Sequence, residues 1–144
     1  MSELTTEKEL VNGIKSGLAG SVSSSIGATF YTQWQEVSAM PCVVVSSGGG
    51  AEEERYTGIF RHVITVTVLS EPSSGGNPED DHFTLADDVL EYLYAETRVS
   101  AWNSASNESV LAEFRISRTE SSVDKGRIFR TDIGLDILAK PENF

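Results

Sequence analysis

The sequence predicts an α+β domain, built as an antiparallel sheet of about four strands with two helices on one face. Two stretches carry apolar residues at helical spacing, and others carry the β-branched or alternating apolar residues that are typical of strands. These stretches follow one another in the order helix, strand, strand, helix, strand, strand. Because 144 residues is the size of one ordinary domain, we expect residues 1–144 to form a single domain.

The first helix is predicted to begin at a capping box, in which Thr6 and Glu9 would satisfy each other's backbone amides. The apolar residues that follow share one side at helical spacing: Leu10, Val11, Ile14, Leu18 and Val22. A serine-rich segment at 21–27 then favours a loop. The next residues, 28–34, carry apolar bulk without a clear period.

The first two strands are predicted to form an antiparallel hairpin with a long tip. Residues 42–46 are an apolar, β-branched run that is too short for a helix. The strongest strand signal lies at 58–69, where branched apolar residues alternate with threonines. Between the two strands, residues 47–54 are predicted to be a flexible, acidic, glycine-rich connection.

The second helix is predicted at 80–96, where Asp80 and Asp81 lie at the positive N-terminal end of the helix dipole. Its predicted buried stripe consists of Phe83, Ala86, Val89, Leu90, Leu93 and Tyr94. Its predicted solvent side consists of Thr84, Asp87, Asp88 and Glu91. This division is the ordinary pattern of a helix that packs on a sheet.

A terminal hairpin is predicted from two alternating stretches, 110–117 and 129–137, with a turn at 123–126. One face of these strands is apolar and is expected to meet the helices. The opposite face carries charges of both signs: Glu113, Arg115, Arg130, Asp132 and Asp136. Such a face suits either water or a matching neighbouring subunit, so these five residues are candidate protein-interface residues.

The charge of the chain argues against nucleic-acid binding. The formal net charge is −11, and residues 1–97 hold 15 acidic and 4 basic residues. Such a surface repels phosphate backbones and anionic lipid, whereas nucleic-acid-binding proteins normally present a basic patch. The single cysteine permits no intrachain disulfide, and neither a signal peptide nor a membrane span is apparent. We therefore expect synthesis in the cytoplasm and no membrane partner.

The residues that could carry chemistry have simpler structural explanations. Cys42 could act as a nucleophile only beside a histidine such as His62, and free cysteine is more often a small core residue. A hard-metal site would draw on Asp80, Asp81, His82, Asp87 and Asp88. Helix-dipole stabilisation and solvation explain the same acids. The triglycine at 48–50 lacks the lysine and hydroxyl residue of a P-loop.

We therefore predict that the chain is not an enzyme and has no catalytic residues, no metal and no cofactor. Four aromatic residues are expected to be core or interface anchors rather than ligand-stacking residues: Trp34, Tyr92, Tyr94 and Trp102.

Nearly the whole chain contributes to one resemblance to a known family. It rests on the opening helix and on the strands at 41–45 (Pro-Cys-Val-Val-Val) and 58–69. It also rests on the helix at 85–93 (Leu-Ala-Asp-Asp-Val-Leu-Glu-Tyr-Leu) and on the terminal hairpin with 129–133 (Phe-Arg-Thr-Asp-Ile). In order, size and style these elements resemble the tail-terminator, or tail-completion, proteins of long-tailed bacteriophages. That family has no invariant catalytic motif.

The resemblance implies a non-enzymatic structural protein of the virion, at the junction of head and tail. Proteins of that family form a ring, usually a hexamer, that caps the tail tube, stops its growth and joins it to the head connector. The implied partners are other copies of the chain, the tail-tube protein and a head-connector or neck protein, with DNA only as passing cargo. An acidic lumen would not hold that DNA. A loop at 46–56 would become a contact arm, which adds four candidate interface residues: Glu52, Glu53, Glu54 and Arg55.

Three alternatives remain open at this point. The chain could be a neck or head-completion connector protein, a small-molecule-binding domain or enzyme of α+β type, or a regulatory or scaffolding domain that shares only the fold. A small-molecule site would require a convergent polar pocket, which the sequence does not reveal.

Overall fold

The structure, a computed structural model, describes residues 3–22, 28–52, 60–71, 78–96, 110–124 and 128–140. Its elements in chain order are α1 (Glu3–Ser21), β1 (Thr29–Thr32), β2 (Cys42–Glu52), β3 (Phe60–Ser70), α2 (Pro78–Glu96), β4 (Val110–Asp124) and β5 (Ile128–Lys140). The predicted α+β class is therefore confirmed. Neither helix in these ranges is long and apolar enough to cross a bilayer.

The sheet has five strands in the order β1-β2-β3-β5-β4, rather than about four. The strand that the sequence analysis missed is β1, a four-residue edge strand that runs parallel to β2, so the sheet is mixed rather than purely antiparallel. A parallel pair cannot be joined by a tight turn, and residues 33–41 make the return connection. Both predicted hairpins, β2–β3 and β4–β5, are confirmed as antiparallel pairs.

The core lies between one face of the sheet and the two helices. On the central strands β3 and β5, Val66 pairs with Ile133 and Ile64 pairs with Leu135, so their side chains point to the same face. Together with α1 and α2 these strands form one buried cluster that includes Leu10, Ile14, Leu18, Val43, Val45, Ile64, Val66, Val68, Leu85, Val89, Leu93, Ile133, Leu135 and Ile137. The prediction that both helices cover one face is confirmed.

Helix α1 buries all five of its predicted apolar residues. It begins at Glu3, however, so the predicted start at the capping box is wrong and Thr6 lies inside the helix. Glutamate and leucine favour helix strongly enough to extend it upstream. A Cβ at Gly17 would overlap the hydroxyl of Tyr92 and lie 3.2 Å from its Cζ, so the absent side chain lets α1 approach α2 closely.

Helix α2 packs on the sheet through a stripe that is rotated from the predicted one. Its buried residues are His82, Leu85, Ala86, Val89 and Leu93. Leu90 is only half-buried, and the prediction is wrong for Phe83 and Tyr94, whose exposed fractions are 44% and 53%. The imidazole of His82 occupies a position that the sequence analysis gave to an aromatic ring, because neighbouring hydroxyls satisfy its nitrogens.

The segment predicted as a loop after residue 46 is largely strand. β2 continues to Glu52 through a register shift between Ser47 and Gly50, so the prediction of a flexible connection is wrong for residues 47–52. Extended glycines can pair in a ladder even though they lack side chains. The remainder of the predicted connection and contact arm, residues 53–59, lies outside the described residues.

The terminal hairpin is longer than predicted. β4 has 15 residues and β5 has 13, and their pairing runs from Val110 opposite Lys140 to Asp124 opposite Ile128. Val123 and Asp124, predicted as turn residues, belong to β4, whereas 125–127 lie outside the described residues. The extra length of β4, residues 118–124, is mostly polar, so it lacks the apolar alternation from which a half-buried strand can be predicted.

Candidate functional site

The predicted interface residues of the terminal hairpin lie on neighbouring strands. Residues 131, 133, 135 and 137 of β5 are buried towards the helices, so the alternate residues Arg130, Asp132 and Asp136 face the opposite side of the sheet. On β4, the register places Arg115 opposite Asp136 and Glu113 opposite Leu138. The predicted juxtaposition of charged positions on β4 and β5 is therefore present, although its role as an interface stays a prediction.

Contacts within the chain hold the β5 acids of this face in place. Asp132 accepts hydrogen bonds from Thr67 Oγ1 at 2.7 Å and from Arg130 Nε at 2.9 Å. Arg61 Nη1 lies 3.9 Å from Asp136 Oδ2, an ion pair between β3 and β5. Ordered charges of both signs form a defined electrostatic pattern, which favours selective protein contact over non-specific adhesion.

Two further charged residues extend this pattern along β4. Arg118 and Glu120 form an ion pair, both are exposed, and Glu120 lies opposite Asp132 in the register. The apolar alternation predicts this strand only to residue 117, so these two residues were not among the predicted interface residues. We use the name charged face for the side of β5 and β4 that carries Arg118, Glu120, Arg130, Asp132 and Asp136.

The charge that the sequence predicts for the terminal hairpin does not extend over the whole face opposite to the helices. Its β2–β3 half carries Cys42, Val44 and Leu69, which are buried or half-buried, and Val63, which is 47% exposed. The register shows where the apolar half of this face meets the charged half. Leu69 of β3 lies opposite Cys42 of β2 and opposite Arg130 of β5. The face is apolar along β2 and charged along β5 and β4.

Strand β4 forms one edge of the described sheet. It follows β5 in the strand order, and residues 117–123 are exposed. An edge strand presents backbone N–H and C=O groups outwards, and charged side chains on such strands limit unwanted pairing. The Arg118–Glu120 pair therefore protects this edge from unwanted strand pairing.

The remaining predicted interface residues belong to the end of β2. Glu52 is the last residue of that strand and pairs with Phe60 in the backbone register. Glu53, Glu54 and Arg55 lie outside the described residues. Their part in a contact arm stays a prediction.

The cysteine–histidine arrangement is not an active site. Cys42 pairs with Leu69 at one end of the hairpin, whereas His62 pairs with Gly50 towards the other end. Leu69 lies seven positions after His62 on the same strand, which corresponds to about 23 Å. The two side chains also point to opposite faces of the sheet. Burial raises the pKa of the Cys42 thiol, which disfavours the reactive thiolate.

A buried hydrogen-bond network surrounds His82 near the start of α2. Its Nδ1 bonds the hydroxyl of Ser70, its Nε2 lies 2.8 Å from Thr131 Oγ1, and Thr131 Oγ1 lies 2.9 Å from Ser121 Oγ. The imidazole ring is 1% exposed and also contacts Phe129, with ring centroids 5.8 Å apart. This network ties α2 to β3, β5 and β4.

The environment of His82 favours a neutral imidazole. Burial lowers its pKa, because a charged ring would lose its hydration in the core. The neighbouring acids of the metal hypothesis, Asp80, Asp81, Asp87 and Asp88, are exposed. Among the described residues no three histidine, cysteine or acidic side chains come close enough to hold a metal ion. The arrangement is a structural network rather than a ligand set.

A cleft that the sequence analysis missed lies between α1 and the connection after β1. Its volume is about 530 Å³, and it is lined by Lys8, Asn12, Lys15, Thr32, Trp34 and Gln35. The lysines and the asparagine recur at helical spacing on α1. The available signal was that these lysines are two of only four basic residues in the acidic first two thirds of the chain.

The wall of the cleft opposite α1 is a hydrogen-bonded turn. Gln35 N–H donates to Thr32 O at 3.1 Å, and Thr32 N–H donates to Gln35 Oε1 at 2.8 Å. Gln33 N–H also donates to Val45 O at 3.0 Å, which anchors the turn to β2. Trp34 lies within this turn and is 54% exposed. The fold therefore presents a large aromatic ring on an ordered support.

The fold of this chain is similar to that of a chain in a solved virion structure. The chain is similar to a chain of a solved structure described as "Virion of native gene transfer agent (GTA) particle", with a TM-score of 0.58 and 17% sequence identity. The matched region covers 88% of this chain and 91% of that chain. The two chains share a fold. No protein-family model matches the sequence, and no curated protein matches it.

Proposed function

We propose that this chain is a non-enzymatic structural protein of a phage-like virion, and specifically a tail terminator that caps the tail tube as a ring and joins it to the head connector. The observation that carries the proposal is the fold shared with a virion chain across 88% of one chain and 91% of the other. Coverage of that extent means that the shared fold extends over most of both chains rather than over one common motif.

The surface of the described residues supports a role in association. The charged face holds ordered charges of both signs, and strand β4 offers a polar sheet edge. A tail terminator would bind its neighbours through complementary shape and charge, and these features can take part in such contacts. The polar groups of the His82 network, by contrast, are consumed in holding α2 on the sheet.

Growth of the tail tube tests the proposal. Tube protein from the same particle is polymerised with and without the purified chain, and tube lengths are measured by electron microscopy. We expect a small molar fraction of the chain to stop growth and to remain bound at one tube end. The Glu71→Lys variant, altered at an exposed residue after β3, serves as a folded control that should act like the parent.

Two outcomes would replace or overturn the proposal. A chain that leaves tube growth unchanged but binds the purified head connector is a neck or head-completion protein. A chain that binds neither the tube nor the connector is not a virion joining protein, and the shared fold then serves another purpose.

A further inference from the structure

The cleft beside α1 carries two lysines in the part of the chain where acidic residues greatly outnumber basic ones. Lys8, Asn12 and Lys15 follow one another at intervals of four and three residues, which places them along one side of the helix. Within the described residues neither lysine forms an ion pair. The cleft therefore offers two positive charges and an exposed indole that the fold itself does not use. We call these three α1 residues the basic stripe.

Helix α2 carries a stripe of the opposite charge with the reverse spacing. Asp81, Thr84 and Asp88 are exposed and follow one another at intervals of three and four residues. In each stripe the outer residues are seven positions apart, which corresponds to about 10.5 Å along a helix axis. We call these three residues the acidic stripe.

We propose that the basic stripe of one copy docks against the acidic stripe of a second copy, with the two helices antiparallel. In that direction the intervals coincide, so Lys8 meets Asp88, Asn12 meets Thr84 and Lys15 meets Asp81. Trp34, on the wall of the cleft, contributes the large aromatic contact that commonly dominates the energy of an interface. This inference rests on the proposed function, for which it supplies the contact between subunits.

A second copy fits the cleft better than a small anion does. Two lysines about 10.5 Å apart along a helix match two acids at the same separation, which a single phosphate or carboxylate does not offer. A helix with acids at the same separation satisfies both lysines at once, and the chain itself contains such a helix. The polar pair in the middle, Asn12 and Thr84, can form a hydrogen bond between donor and acceptor groups.

The two stripes lie on different helices of the same helical layer. α1 packs mainly on β1 and β2, whereas α2 packs on β3 and β5, so the stripes belong to different halves of the helical layer. Because the two surfaces differ, the contact can repeat from one copy to the next, and a repeat that closes on itself is a ring. The pairing thus provides a direct route from the monomer to the proposed ring.

Charge reversal on each stripe tests this pairing. Variant K8E/K15E reverses the basic stripe, and variant D81K/D88K reverses the acidic stripe. Each alone would bring like charges together, and we expect its dissociation constant for self-association to rise about a hundred-fold. Light scattering after gel filtration measures the mass of the assembly, and thermal unfolding confirms that each variant is folded.

Mixing the two variants gives the decisive result. In an alternating assembly every basic stripe again meets an acidic stripe, so an equimolar mixture should recover the parent's mass while each variant alone does not. The quadruple variant K8E/K15E/D81K/D88K should also self-associate. The control E71K/E79K changes the net charge as much as D81K/D88K does, at two exposed positions outside both stripes and outside the charged face, and should assemble like the parent.

Three outcomes would overturn the pairing. The first is self-association of both reversed variants at parental strength, and the second is failure of the folded variants to recover assembly when mixed. The third is a parent that stays monomeric at every concentration and low ionic strength, where charge attraction is least screened. The tube-growth experiment remains a separate test, so a chain that caps tubes through other contacts retains the proposed function and loses only this pairing. If K8E/K15E does not fold, K8Q/K15Q tests the same loss of charge.

Discussion

The two faces of the sheet are built from the same strands and differ in what their side chains do. On β3, Ile64, Val66 and Val68 are fully buried beneath the helices. On the other side of the same strand, Arg61 pairs with Asp136, Val63 is 47% exposed and Thr67 donates a hydrogen bond to Asp132. One face makes the fold stable, and the other presents an ordered surface.

The contrast shows where selection for stability and selection for association can act separately. Apolar side chains in a closed core contribute in proportion to the area removed from water. Exposed ion pairs contribute little to folding, yet they decide which surface can approach. Substitutions on one face should therefore change the free energy of unfolding, whereas substitutions on the other should change assembly.

The largest expected effect comes from a matched pair on β3. Ile64→Ala removes a fully buried side chain from the centre of the core and should lower the free energy of unfolding by about 2–5 kcal/mol. Val63→Ala, one residue away on the opposite face, should cost less than about 1 kcal/mol. Urea unfolding of both variants measures the difference. Equal losses would show that the two faces are not distinct.

The His82 network should make the core face sensitive to pH. Burial lowers the pKa of His82 in the folded state, so below about pH 6.5, the ordinary value, the unfolded chain binds the proton more readily. Stability is therefore full above that pH and falls as the solution is acidified towards the folded-state pKa. Urea unfolding at pH 7.5 and pH 5.5 should show the loss in the parent.

The His82→Gln variant separates this histidine from other titrating groups. It should be less stable at pH 7.5 by about 1–3 kcal/mol, because Ser70 and Thr131 lose their hydrogen bonds to the imidazole ring. Its stability should change less than the parent's between pH 7.5 and 5.5. An unchanged pH dependence would mean that another group is responsible.

A smaller effect is expected where the helices meet. Gly17→Ala should destabilise the protein by about 1–2 kcal/mol, because overpacking against Tyr92 outweighs the gain of about 1 kcal/mol in helix propensity. In a Tyr92→Phe background the overlapping hydroxyl is absent, so the same glycine substitution should cost less. Additive effects in this double-mutant cycle would show that the residues do not touch.

The smallest effect on folding belongs to the charged face. Arg130→Glu loses the hydrogen bond to Asp132, but the side chain of Arg130 is 43% exposed. The expected change in unfolding free energy is therefore about 0–1 kcal/mol. The melting temperature should hardly move, whereas self-association or attachment to the tail tube should weaken at low salt. Parental assembly there would show that this face is ordinary surface.

The residues of the core face could be predicted from the sequence more fully than those of the surface. The spacing of Leu10, Ile14 and Leu18 predicts the buried side of α1, and alternation predicts the inward residues of β3 and β5. The rotation of α2 could not be predicted, since it depends on hydrogen bonds that reach His82 from Ser70 and Thr131.

The candidate surfaces depend on pairings between distant segments, which explains why only part of them was predicted. Alternation predicts Arg130, Asp132 and Asp136, because they belong to a half-buried strand. Arg118 and Glu120 were missed, because polar extensions of a strand carry no period. The cleft joins α1 to a turn about twenty residues later in the chain, and its formation depends on how β1 pairs with β2.

Electron microscopy of tail tubes incubated with the purified chain tests the central claim most directly. If the chain is a tail terminator, averaged images will show one ring of density at a single end of each tube, and labelled protein will lie in that ring. Tubes without density at either end, or with label scattered along their sides, would contradict the account.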